Sequence, residues 1–468
     1  MSEGVRNWSD LNSNVNRLRN NKVNAKLNVS TQPEDCILDR SKRVSPFPRV
    51  VRPTPEPLGL YFRVGRNDHK SLSDLIAAGG ASLFGAVLDP TNLKRHAELR
   101  DQIRDHEMDV ILDPKTQESA TPGAFKSQLG ALPWGVNGPH RQSDFEGTAG
   151  KRLISALAQF ALDEGFTQVM APTHLLRSAD DPWLDIDVRS AQGFREQLDR
   201  RGGSRIPIIY PLAVPYSTIR DPRQRRDLIE TLQSCAASAI WLQVDGAGAT
   251  GSATQALSYL RAASEMHELG IPLVADHIGG LFGLALLAFG AVGGMAHGIT
   301  LGERFDTKHW RRQNGGRGFL PTHRVYVGPL DLMLERKEAQ RLMNISPRAK
   351  ARFGCADTNC CRRGISDMLK NPALHFMIQR IRQVADLSRI PEQFRAHRFL
   401  EKSLRPASDT AVAATNIDWG DRDMQAKMDR TRKRLDSMRV ALSAHTEARP
   451  PVSYALHPER RVTREKRV

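Results

Sequence analysis

Asp276 and His277 close a short apolar run, residues 271–275, and Gly279-Gly280 follows at once. A carboxylate beside an imidazole is a pair that can hold and move protons. The arrangement recurs along the chain. Arg63, Asp89, Asp113, His174, Asp245 and His297 each stand at, or one step past, the end of an apolar run of strand length. Acids and imidazoles brought to one place shift one another's pKa values and suit acid/base work. Any single Asp among them could instead cap the helix that follows. The pair Gly279-Gly280, at a helix start, would let a phosphate approach the backbone closely, although glycine also serves tight packing alone.

A second group lies late in the chain. Cys355, Cys360 and Cys361 fall within GCADTNCC, and His375 follows. Three thiolates and one imidazole make a donor set for structural Zn2+. The C-x4-C-C spacing is not that of a standard finger or ribbon, and Asp357 is an alternative to His375 as fourth ligand. Without metal the segment would be a reduced cysteine loop. The chain has five cysteines. An odd number, with three clustered, favours thiols or metal over a disulfide framework.

These residues need a scaffold that gathers them. Strand-length apolar runs occur at 58–64, 82–88, 109–112, 167–171, 206–210, 239–244, 271–275 and 291–299. Segments with helical spacing separate most of them: 71–78, 93–106, 150–164, 189–200, 222–236, 253–269 and 281–289. Eight such units within about 250 residues predict a TIM-like (β/α)8 barrel. In that fold strand ends converge on one face, where catalytic groups sit. Residues 114–148 read as a long loop rich in Gly and Pro. Residues 180–187, DDPWLDID, read as a solvated loop anchored by Trp183. Ser71 is expected to cap its helix, and Asn371 to cap a helix begun by Pro372 that buries Leu374, Ile378, Ile381 and Ala385.

The domain expectation is a disordered basic arm over 1–57, the barrel over 58–306, a basic loop and zinc-binding helical subdomain over 307–405, and a basic helix and tail over 406–468. The C-terminal part is thus a Cys-containing helical extension. Within it, residues 420–442 have helical spacing, with Met428, Leu435, Met438 and Leu442 on one side.

The net charge of +16 favours a polyanionic partner such as nucleic acid. Arg311, Arg312 and Arg317, in a glycine-rich loop, and the 420–442 helix are candidates to hold a phosphate backbone. No apolar run reaches the roughly 18 residues of a membrane span, and the N-terminus has no apolar signal core. The expectation is a cytoplasmic protein with no membrane partner.

With these parts assembled, the layout resembles the tRNA-guanine transglycosylase superfamily over roughly residues 58–400. VILDPKTQ, residues 110–117, looks like that family's strand-three segment. The match implies that Asp113 is an acid/base aspartate in a substrate pocket. VMAPTHLLRSADDPW, residues 169–183, looks like its strand-four segment, with Thr173-His174 in place of an Asp. VDGAGATG, residues 244–251, is similar to its glycine-rich strand-six turn. Cys355, Cys360, Cys361 and His375 stand for its three Cys and one His, at different spacing. The strand-eight segment GGMAHGITLGERF departs most, since it has no nucleophilic Asp near His297. Asp276 or Asp306 is a possible replacement.

The resemblance implies a barrel enzyme that exchanges a guanine for a deazaguanine, or otherwise modifies a base, in RNA or DNA. Asp113, Asp276 and His297 would do the chemistry. Asp89, His174, Asp245, His277, Gly279 and Gly280 would bind substrate. A target base would have to flip out to reach a barrel mouth. Two alternatives stand beside this one: a noncatalytic nucleic-acid-binding barrel, and a barrel enzyme on a phosphorylated small molecule.

Overall fold

The computed structural model describes residues 57–79, 83–310, 324–448 and 456–458. The basic arm, most of the C-terminal tail, Cys36 and the loop residues Arg311, Arg312 and Arg317 lie outside the described residues.

Eight parallel strands close into a barrel in sequence order. They are β1 (Gly59–Arg63), β2 (Gly85–Leu88), β3 (Asp109–Leu112), β4 (Gln168–Met170), β5 (Ile208–Pro215), β6 (Ala239–Asp245), β7 (Leu273–Asp276) and β8 (Gly294–Gly298). Closure is made by β1 against β8, with Tyr61 opposite Ala296 and Arg63 opposite Gly298. The fold is therefore a (β/α)8 barrel with a C-terminal helical region.

Alternation along each strand sorts side chains into two cores. Tyr61, Val87, Ile111, Met170, Ile209, Trp241, Val274 and Ala296 point inward and fill the barrel. Leu60, Phe62, Leu88, Leu112, Ala275 and Met295 belong to the outer core, shared with the surrounding helices. That outer core continues without a break into the C-terminal helices, through Phe376, Leu404, Met428 and Leu435.

A helix of nine or more residues crosses each of the seven intervals between consecutive strands. The one between β7 and β8, Gly280–Ala288, is buried throughout, as its all-round apolar sequence requires. Helix Pro372–Ser388 packs on β1, on helix His69–Ala77 and on Gly280–Ala288, the place of the eighth outer helix. The cysteine segment is thus an excursion between β8 and that helix, so the barrel's outer layer reaches beyond residue 306. Among the described residues no helix is long and apolar enough to cross a membrane.

Several local expectations differ from the structure. Asp68, not Ser71, stands at the N-cap of the first helix, and no side chain caps Pro372–Ser388. That helix buries Ala373, His375, Phe376, Met377, Arg380, Ile381, Val384 and Leu387; Leu374, Ile378 and Ala385 are only half-buried. Its inner face is rotated because Arg380 is drawn inside by buried carboxylates. Residues 183–187 are the first turns of helix Trp183–Arg200 rather than a loop, because Asp181 accepts the Trp183 amide and starts the helix. The long loop contains short helices at Thr116–Ala120, Ser127–Gly130 and Gln142–Phe145.

Candidate active site and metal centre

Two positions beyond the inward residues Tyr61, Ile111, Trp241 and Val274 come Arg63, Asp113, Gln243 and Asp276. Strand parity therefore places these four side chains in one layer at the C-terminal mouth of the barrel. Arg63 donates from Nε to Asp276 Oδ1 at 2.7 Å and from Nη2 to Oδ2 at 2.5 Å. Its third nitrogen, Nη1, donates to Asp113 Oδ2 at 2.6 Å. Gln243 Nε2 donates to Asp276 Oδ2 at 2.7 Å, and the His277 amide to Oδ1 at 2.8 Å. Asp113 also accepts the Lys115 amide at 2.9 Å and lies 3.4 Å from the Lys115 ammonium.

Asp276 is fully buried, Arg63 is 9% exposed and Asp113 is 15% exposed. Burial works to raise both carboxyl pKa values. Lys115 and Arg63 hold Asp113 well below the usual carboxylate range. Arg63, His277 and the Gln243 bond hold Asp276 down in the same way. Both groups are carboxylates at neutral pH. Two cations, Arg63 and Lys115, stand beside the two carboxylates, and Lys115 also pairs with Glu118 at 2.8 Å. His277 sits beside this group with φ 57°. Burial, then the Arg63 charge, pushes its pKa down to about 4, so it is neutral.

The cavity bounded by Asp113, Thr116, Gln117, Met170, Thr173, Pro211 and Gln243 is only about 10 Å³. That is room for a single water at most. Thr116 and Gln117, at the start of the short helix after β3, form part of its roof. A heterocyclic base needs that roof to move.

The other proposed site residues part company here. His297 follows the inward Ala296, so it faces outward; it is fully buried between Phe62 and Phe376. It is a packing residue of the outer core and does not reach the mouth. His174 is also turned away. Its ring stacks on Trp183 at 3.6 Å between centroids, and Nδ1 bonds Asp187 at 2.6 Å. Its neighbour Thr173 lines the mouth instead. Asp89 caps the turn after β2, accepting from the Thr91 amide and hydroxyl at 2.8 and 2.7 Å. Asp245 stands at the rim, where its two oxygens hold the Thr307 amide and hydroxyl at 2.8 and 2.7 Å.

The Gly279-Gly280 turn is occupied by the protein itself. Glu303 accepts the Gly280 amide at 3.0 Å, and Asp331 accepts the Leu281 amide at 3.0 Å. A Cβ on Gly279 would collide with Glu303. These carboxylates are in turn bound by Arg380 and Arg434. The helix N-terminus that would hold a phosphate already holds two anions, which removes the feature that favoured a phosphorylated small molecule.

Gln243, Lys115, Glu303, Asp331 and Arg380 join the site without standing at the end of an apolar run. The signal for Gln243 is its place two positions before Asp245 on the same face of β6.

In the excursion after β8, the donor atoms of Cys355, Cys360, Cys361 and His375 lie within 4.8 Å of one another. His375 Nδ1 is 3.3 Å from Cys360 Sγ and 3.4 Å from Cys361 Sγ. His375 Nε2 lies 3.0 Å from the Tyr326 carbonyl oxygen, which can only accept. The proton is therefore on Nε2, and the Nδ1 lone pair faces the thiols, as a metal-ligating imidazole requires. Asp357 is excluded as a ligand by its ion pair with Arg382. The four residues fit a tetrahedral metal ion.

No known protein family matches this sequence, and no curated protein is similar to it. Solved structures do align. A type I 3-dehydroquinate dehydratase from Clostridium difficile is 10% identical with a TM-score of 0.34, covering 55% of this chain and 90% of its own. The 3-dehydroquinate dehydratase of Enterococcus faecalis is 11% identical with a TM-score of 0.32, covering 52% and 90%. The beta-glycosidase BGL167 is 12% identical with a TM-score of 0.26, covering 55% and 88%.

Proposed function

We propose that this chain is a transglycosylase-like enzyme that exchanges or modifies a base in RNA or DNA. The observation that carries the reading is the Asp113–Arg63–Asp276 bridge at the barrel mouth. Asp113 and the Gln243 amide line one small space, and Asp276 lies directly behind them, bonded to both Gln243 and Arg63. Such crowding is costly to hold in a dry site and is kept where it serves chemistry.

Asp276 takes the place of the nucleophile absent near His297. Once Arg63 swings away from Oδ2, that carboxylate oxygen bonds to C1′ of the target nucleoside as the glycosidic bond breaks, with the bond's electron pair leaving on the base. A base that displaces Arg63 from Asp113 removes one of the two cations holding that carboxyl down, so its pKa rises. Asp113 then carries the proton that neutralises the departing base. In the second half the incoming base gives a ring proton to Asp113 as its nitrogen attacks C1′ and frees Asp276. Thr116 and Gln117 withdraw to admit the base. We assign zinc to the four-donor centre, where it would tie the excursion together without taking part in chemistry.

The test is incorporation of labelled guanine into RNA or DNA by the metal-replete protein. Incorporation that Asp276→Asn abolishes supports the reading. A second reading, a noncatalytic nucleic-acid-binding barrel, is favoured by the closed mouth and by the engagement of both carboxylates, Asp276 by Arg63, Gln243 and the His277 amide and Asp113 by Arg63 and the Lys115 amide. Nucleic-acid binding without any exchange of base would establish that one instead.

A further inference from the structure

A groove of about 1250 Å³ starts beside the mouth and extends between helices Ala97–Asp105 and Gly147–Asp163. Its walls come from the loops after β1, β2 and β3, from Arg100, Phe160 and Glu164 of those helices and their ends, and from Trp310 in the segment after β8. Six cations and three carboxylates line it. Two of the cations are engaged: Arg100 with Glu164, and Lys115 with Asp113 and Glu118. The other four, Arg66, Lys94, Arg95 and Lys126, are exposed and have no ion pair among the described residues. Lys115 stands at the inner end, 3.4 Å from the Asp113 carboxylate. Lys115 thus connects the groove lining to Asp113 of the candidate catalytic layer.

We propose that this groove is the track of a single nucleic-acid strand, with Arg66, Lys94, Arg95 and Lys126 on its phosphates. The proposal rests on the base-modifying reading and adds a surface to it. The volume exceeds the roughly 300–1,000 Å³ of small-molecule sites. The cations come from three successive loops, an arrangement that suits a chain of phosphates better than one compact anion. Trp310, half-buried in the lining, gives an aromatic surface on which a base can stack. A strand lying here would have Lys115 at the point where one nucleotide leaves the track for the mouth.

The experiment measures binding of single-stranded 20-mer DNA and RNA at several salt concentrations. It compares the full chain with Lys94→Ala/Arg95→Ala/Lys126→Ala. The control, Arg189→Ala/Arg200→Ala/Arg205→Ala, removes the same charge from helix Trp183–Arg200 and the turn after it. The groove variant should melt normally, lose at least about tenfold in affinity, and lower the salt slope by about two, since each single-strand phosphate contact contributes roughly 0.7. The control should bind as the parent does. In the unsubstituted protein, bound oligonucleotide should shield Lys94 and Lys126 from an amine-reactive reagent, a result that does not depend on a variant folding. Either DNA or RNA satisfies the proposal, and the tighter of the two identifies the sugar preferred. Binding by the parent that survives the groove substitutions, or that the control lowers equally, overturns the groove and leaves the nucleic-acid reading standing. No binding by the parent at low salt overturns both.

Discussion

Arg63 and Asp276 meet through two parallel hydrogen bonds of 2.7 and 2.5 Å although 213 positions separate them. Only barrel closure, with β1 and β7 both flanking β8, brings them together. The bidentate fork uses the geometry that distinguishes Arg from Lys. Arg63→Met should therefore cost about 3–5 kcal/mol at neutral pH, because it leaves a buried carboxylate unpaired. The pH dependence gives the sign. Arg63 lowers the folded-state pKa of Asp276, so the bridge stabilises the parent above the unfolded carboxyl pKa and is lost on acidification. In Arg63→Met burial, the largest influence, is opposed only by His277 and the Gln243 bond, so that pKa rises and the variant should gain stability as pH falls toward about 5. Urea denaturation at two pH values decides this, and a variant as stable as the parent at pH 7 would remove the bridge from the account.

Metal at the Cys355, Cys360, Cys361 and His375 centre should be detected by elemental analysis at about one zinc per chain. Cys361→Ser should lose it. Chelation should lower Tm and open residues 355–371 to protease before the barrel strands, because the ion ties the excursion to helix Pro372–Ser388. Protein prepared free of chelator and holding no metal would leave these residues as a packed thiol loop.

Buried imidazoles should make the protein acid-sensitive. Burial and the Arg380 charge push His297 down to about 3; burial and His174 push His140 down to about 4. Both lie below the unfolded value of about 6.5. The unfolded chain therefore binds more protons between that value and about 4, and stability is lost as pH falls through this window. Each such histidine contributes up to about 1.4 kcal/mol per pH unit. His297→Leu, which fills the space between Phe62 and Phe376 without titrating, should reduce the slope by about that amount. It should leave nucleic-acid binding unchanged. An unchanged slope would show that His297 is not held neutral.

The barrel was legible because apolar runs of strand length alternate with helical spacing seven times. Asp113 and Asp276 were legible because each ends such a run. His297 misled because glycines at 293, 294 and 298 hide the two-residue alternation of β8; counting from Ala296, the inward neighbour of Tyr61, would have turned it outward. Gly279-Gly280 misled because the anions that fill the turn, Glu303 and Asp331, lie 23 and 50 residues away from their partners. Spacing within one segment carries no trace of them. Helix Glu392–Phe399 escaped notice since its buried Arg395, bonded to the Ile390 and Ser388 carbonyls, and its exposed Phe394 invert the usual pattern.

Asp113→Asn is the sharpest test of the mouth. The substitution keeps the side-chain volume and leaves Arg63 paired with Asp276 by both its bonds. The Lys115 amide can still donate to the Asn oxygen. What is lost is the charge beside Arg63 and Lys115 and the acceptor for Arg63 Nη1, which then faces the Asn amide nitrogen donor to donor. The variant should therefore melt cooperatively but several degrees below the parent, and bind nucleic acid as well or better, since one anion near the groove is gone. It should exchange no base, because an amide can neither take the ring proton of an incoming base nor supply one to the departing base. Parallel melts, salt-dependent binding and labelled-guanine incorporation separate these effects. A variant that melts cooperatively and keeps full incorporation would take Asp113 out of the mechanism. Arg63, Gln243 and Asp276 would then be the polar groups of that layer left to act on the base, and the base-exchange reading would lose its proton carrier.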